Sequence, residues 1–166
     1  MGVFHMTVGS TQYAISDREV PSRGQLPWGD QTCDAFIAIL EPELLTDRFA
    51  QELSLGLVGL QTDWIEAMGG KSEFLHDCID GASVQVGRQM RVGEGNPMTA
   101  WHDEFSDIES MINYIRIGGQ GASDFKLILL IGSERSQSVF RNRLRQVLFE
   151  SAHGPSEDTM PNGRTQ

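Results

Sequence analysis

Residues 34–40 read Asp-Ala-Phe-Ile-Ala-Ile-Leu, and residues 125–131 read Phe-Lys-Leu-Ile-Leu-Leu-Ile. Runs that are apolar at consecutive positions, rather than at every second one, suit strands covered on both faces. A parallel sheet between two helix layers supplies that cover. Each run stops and gives way to a helical pattern. After Glu41-Pro42, residues Leu45, Phe49, Leu53 and Leu57 recur at four-residue spacing and predict a helix over about residues 43–58. After Gly132-Ser133, residues Val139, Phe140, Leu144, Val147 and Leu148 line one side of another.

Two weaker strand patterns lie between these. Residues 62–68 (Thr-Asp-Trp-Ile-Glu-Ala-Met) include Asp63 and Glu66, which imply partial exposure near an edge. Gly69-Gly70 ends the run, and Ser72 is placed to cap a short helix carrying Phe74, Leu75, Cys78, Ile79 and Ala82. Residues 98–101 run into His102-Asp-Glu104, and Phe105, Ile108, Met111, Ile112 and Ile115 mark the next helix, started by Asp103 or by a capping box at Ser106-Asp-Ile-Glu109. The glycine-rich stretch from Gly118 to Gly121 follows a helix and precedes a strand. It therefore reads as a helix stop and turn, since phosphate-cradling glycines lie after a strand.

Strand and helix alternate four times, which predicts an α/β three-layer sandwich: a small, mostly parallel sheet of about four strands, order 2-1-3-4, with helices on both faces. Residues 32–150 form this single domain. Residues 1–31 read as an irregular segment compatible with an edge strand or hairpin, with Trp28 plugging a core edge. The composition of residues 151–166 predicts a disordered tail.

In a sheet of that order, ligands bind beyond the carboxyl ends of strands one and three, where the winding reverses. The expected site gathers Glu41, His102, Asp103 and Glu104, flanked by Lys71, His76 and Asp77 and by Ser133 and Glu134. Catalytic candidates are His102, Asp103 and Glu41. An imidazole beside carboxylates can shuttle protons near neutral pH, or share a divalent ion with Glu41 or Asp77. It can equally be a structural histidine that fixes the strand–helix corner. No H-E-x-x-H, Walker, G-x-S-x-G or G-x-G-x-x-G pattern is present, so no cofactor or dedicated metal site is expected. Ser133 is explained more simply as a helix cap than as a nucleophile, and Cys78 as a small buried hydrophobe. Arg135, Arg141, Arg143 and Arg145 read as a solvated helix face.

The 166 residues carry a formal net charge of -10, which disfavours a nucleic-acid partner and favours a basic protein or a cation. Two separated cysteines, Cys33 and Cys78, suggest neither a disulfide framework nor a zinc site, and fit a reduced, cytoplasmic protein. No run reaches membrane-spanning length, so no membrane partner is expected. Oligomeric state is left open, because an edge strand at residues 62–68 or in the N-terminal segment can pair with a second copy.

The apolar first strand, Trp64 leading to Ala67-Met68-Gly69, the acidic helix around His76-Asp-Cys-Ile-Asp80, and Met98-Thr-Ala-Trp-His102 followed by acids together resemble an uncharacterised family of small bacterial α/β domains, over about residues 34–117. The resemblance implies no activity. It implies that Trp101, His102, Asp77 and Asp80 act as a set, with His76 standing where an acid is expected. The function expected is a small acidic interaction module that binds a basic protein, as a toxin-neutralising immunity protein does, through Trp64, Asp77, Asp80, Trp101, His102 and Ser133. The alternative is a small enzyme or a metal- or ligand-binding domain at the Glu41/His102 edge.

Overall fold

The computed structural model describes residues 2–60, 62–87 and 97–153. The two apolar runs are strands β3 (Cys33–Ile39) and β6 (Phe125–Ile131), adjacent and parallel in the middle of the sheet. The other strands are β1 (Phe4–Val8), β2 (Thr11–Asp17), β4 (Thr62–Gly69) and β5 (Met98–His102). The sheet has six strands rather than about four, in the order β1-β2-β6-β3-β4-β5, and only the β1–β2 hairpin is antiparallel.

The N-terminal segment forms the β1–β2 hairpin at one edge of the sheet, where β2 covers β6 and buries Tyr13, Ala14 and Ile15. One expectation is corrected by this order. The four anticipated runs lie as β6-β3-β4-β5, not 2-1-3-4, so the winding reverses between β3 and β6. The physical reason is burial. β6 is apolar enough to sit between two strands, whereas five-residue β5, with Met98 and Trp101 exposed, can only close the rim.

Alternation along β3, β4 and β6 builds two cores. Ala35, Ile37, Ile65, Leu127 and Leu129 pack under α1 (Asp47–Gly59) and α2 (Ser72–Gly87). Phe36, Ala38, Met68, Ile128 and Leu130 pack under α3 (Ile108–Ile117) and α4 (Glu134–His153). Trp28 is buried against Phe125, ring centroids 5.5 Å apart, and plugs the first core. No helix among the described residues is long and apolar enough to cross a membrane.

Helix α2 runs 16 residues, longer than its pattern predicts. Helix α3 is capped by Asp107, whose carboxylate accepts from the Ser110 N–H at 2.9 Å, rather than by Asp103 or Ser106. Gly118 ends α3 at φ +91°, the left-handed geometry a helix stop requires. Two arginines of α4 are not merely solvated: Arg141 pairs with Asp17 of the hairpin, and Arg143 binds Glu109 of α3 at 2.6 Å. Residues 88–96 lie outside the described residues, as do residues 154–166 of the anticipated tail; residues 151–153 of that stretch instead continue helix α4.

Candidate functional site

Strand β5 pairs with β4 in the register Trp64↔Met98 through Met68↔His102, and no described strand pairs with its other side. Alternation turns neighbouring side chains to opposite faces. Trp101 and Thr99 therefore meet α2, while His102 meets α3.

On the α3 side the organising group is Glu66, the residue whose charge implied exposure. It is 1% exposed. Its Oε2 accepts from the Tyr114 hydroxyl at 2.5 Å and faces His102 Nε2 at 3.1 Å; its Oε1 accepts from the Gln120 N–H at 2.7 Å. Gly119 makes this possible: it has φ +60°, and a Cβ there would lie 2.3 Å from Glu66 Oε1. The glycine-rich turn thus lies against a buried carboxylate. Burial pushes the Tyr114 phenol well above its usual range, and its bond to Glu66 adds to this, so the phenol stays a donor. His102 faces Glu104 through Nδ1 at 3.3 Å and packs its ring on Phe105 and Tyr114, centroids 5.1 and 4.6 Å away. Its side chain is 12% exposed, and both ring nitrogens face carboxylates. Glu104 is held below the usual carboxylate range, first by its own backbone N–H and then by His102.

On the α2 side, His76 packs on Trp101 with centroids 4.5 Å apart, and its ring nitrogens lie 3.4 Å from Asp77 and 3.6 Å from Asp80. Thr99 donates to Asp80 at 2.7 Å. Trp101 is 43% exposed, and Val84 is exposed on the same helix as Glu73, Asp77 and Asp80. Those three acids follow i, i+4, i+7 spacing and share a face. No Lys or Arg occurs in residues 72–87 or 97–115, stretches that hold Glu73, Asp77, Asp80, Asp103, Glu104, Asp107 and Glu109. The set implied by the family resemblance is therefore divided. Trp101, Asp77 and Asp80 come together around His76, and His102 stands on the other face of the same strand. Trp64 is half-buried across from Met98.

The strand order also separates Glu41 from His102, because β4 stands between β3 and β5. Glu41 instead meets Ser133 at the point of reversed winding. The Ser133 hydroxyl donates to Glu41 at 2.5 Å and accepts from the Ser136 N–H at 3.4 Å. The Ser133 and Ser136 hydroxyls hold the Glu41 carboxyl below its usual range. Ser133 is thus the cap of α4, and the positive end of that helix is already served by the chain's own carboxylate. Asp103 is exposed on the β5–α3 corner. Lys71 points elsewhere, donating to the Leu45 carbonyl at 3.1 Å. Among the described residues, no group of three or more His, Cys, Asp or Glu is arranged to hold a metal ion.

Sequence reasoning missed Glu66, Tyr114, Asp34 and Lys126. A usable signal existed, since a charge inside an otherwise apolar strand has to be paired. No protein-family model matches the chain, and no curated protein matches it.

Proposed function

We propose that the protein is an interaction module that receives a basic, extended segment of a partner protein along the β5 rim. The observation that carries this is Trp101, exposed on a strand with no described outer neighbour, between an α2 flank and a β5–α3 corner that hold acids and no Lys or Arg. A partner strand added there would pair with the backbone of β5 and lay alternate side chains on each face. On the α2 face its Lys or Arg would meet Asp77, Asp80 and the Trp101 ring, combining charge with cation–π attraction. On the other face they would meet Asp103 and Glu104. Glu66 and its donors keep β5, α3 and the glycine turn in one rigid arrangement, which lowers the cost of binding. Neutralising a basic toxin is one setting for such chemistry. The alternative, a reaction centre at Glu41 and His102, has less support: the two are a strand apart, and His102 is occupied on both nitrogens.

The test is selection of displayed random peptides on the protein, followed by affinity measurement of the winners. Expected winners are extended and Lys- or Arg-rich, shift the β5 amide resonances, weaken with salt, and lose roughly tenfold or more with Trp101→Ser, as for an interface anchor. Winners that are not basic, or that bind Trp101→Ser as well as wild type, refute the proposal.

A further inference from the structure

At the opposite ends of β3, β4 and β6, away from the β5 corner, lies a cavity of about 480 Å³, lined by Thr32, Asp34, Asp63, Trp64, Ser123 and Phe125 among others. Asp34 is 1% exposed. Its Oδ2 accepts from Lys126 Nζ at 2.6 Å and from the Ser123 N–H at 3.0 Å, whereas its buried Oδ1 has no hydrogen-bond partner. Lys126 does not supply one. An ammonium has three donors, and Lys126 directs them to Asp34 Oδ2 and, at 3.3 Å each, to the carbonyls of Gly118 and Gly121. The glycine loop presses so closely that a Cβ on Gly121 would lie 2.4 Å from Oδ1. A carboxylate oxygen buried without a donor is costly enough to need an explanation. Two of the lining residues, Asp34 and Asp63, are acidic and none is basic; among the described residues Lys126, behind the wall, pairs with Asp34. The cavity's apolar walls are the half-buried Trp64 and Phe125, the latter backed by Trp28.

We infer that this cavity binds a small organic cation that donates N–H hydrogen bonds, an alkylammonium or alkylguanidinium, with its charged head at Asp34 Oδ1 and Asp63 and its apolar body on Trp64. The head supplies the missing donor, offsets the excess negative charge, and can lie over the indole face. The site adjoins β5 only where Trp64 pairs with Met98, at the end of the strand away from Trp101, and the inference does not depend on the function proposed at the rim.

The experiment titrates isotope-labelled full-length protein with butylguanidinium, butylammonium and tetramethylammonium at constant ionic strength, following the Trp64 indole and Ser123 amide resonances. Butylguanidinium or butylammonium is expected to give saturable shifts with Kd on the order of 1 mM. Tetramethylammonium, which has no N–H to donate, is expected to bind about tenfold more weakly. Asp63→Asn, at an exposed position, is expected to weaken binding severalfold, and Trp64→Leu to do the same. Glu52→Gln on α1 is expected to leave it unchanged. Asp34→Asn is expected to abolish binding; its fold is checked by amide spectra, and Asp63→Asn and Trp64→Leu carry the test if it unfolds. Absence of saturable shifts at about 50 mM ligand, equal shifts from tetramethylammonium, or shifts indifferent to Asp63→Asn and Trp64→Leu would overturn the inference and leave water as the occupant.

Discussion

Replacing Glu66 by leucine removes a buried acceptor while leaving its three donors in place: the Tyr114 hydroxyl, the Gln120 N–H and His102 Nε2. Hydrogen bonds to a charged group contribute about 1.5–3 kcal/mol each, so their gross sum exceeds 4 kcal/mol. Against this stands the several-kcal/mol cost of desolvating the carboxylate, which leucine relieves. Gln120, however, is fixed by Gly119 against the sheet, so its N–H is left facing a hydrocarbon side chain. The expected net loss is about 3–5 kcal/mol. Glu66→Gln keeps the shape and the Oε1 acceptor, and its amide can donate to the Tyr114 oxygen, so about 1–2 kcal/mol is expected. In urea unfolding, with a slope of about 2 kcal/mol/M, leucine should lower the midpoint by roughly 2 M and glutamine by less than about 1 M. Hydrogen exchange at Gln120 should accelerate in the leucine variant. A leucine variant as stable as wild type at unchanged slope would refute the account of Glu66 as the group that holds β5, α3 and the glycine turn together.

Gly119→Ala adds a Cβ 2.3 Å from Glu66 Oε1 at φ +60°, so a loss of about 1–3 kcal/mol is expected in thermal melts; an unchanged Tm would contradict the geometry. Burial, reinforced by Asp34 and Asp63, pushes the Cys33 thiol up to about 12. Iodoacetamide at pH 8 is therefore expected to spare Cys33 until the protein unfolds, and modification of native Cys33 detected by mass spectrometry would refute this. Glu41 is held below the ordinary glutamate value of 4.5, so its stabilising contribution is complete above that value and is lost as pH falls through the lower, folded one. Ser133→Ala removes the main cause, and the acid limb of a stability–pH curve should become shallower; an unchanged limb would refute the assignment. The exposed Arg143–Glu109 pair should couple by less than about 1 kcal/mol in a double-mutant cycle, and more would mean the α3–α4 contact is stronger than its exposure implies.

Local pattern by itself determined the identity of β3, β4, β5, β6 and of the four helices, and the placing of the glycine turn at the helix-stop end. The reason is that side-chain period reports burial over a few residues, and each of these segments is long enough to show it. It also placed His102 at the end of β5; the grouping of Trp101, His102, Asp77 and Asp80 came from the family resemblance, although the period of two already implied that adjacent Trp101 and His102 face opposite ways. Only the tertiary structure decided the strand order. That order depends on which edges are left to bury, and here the N-terminal hairpin takes the edge of β6 and leaves β5 at the rim. The charged core was decided in the same way. Asp34 meets Lys126 across 92 positions, and Glu66 meets Gln120 across 54. Within its own strand each of these charges reads as exposure. Whether a charge is solvated or paired is settled by the distant chain that comes to lie beside it, which no local window contains.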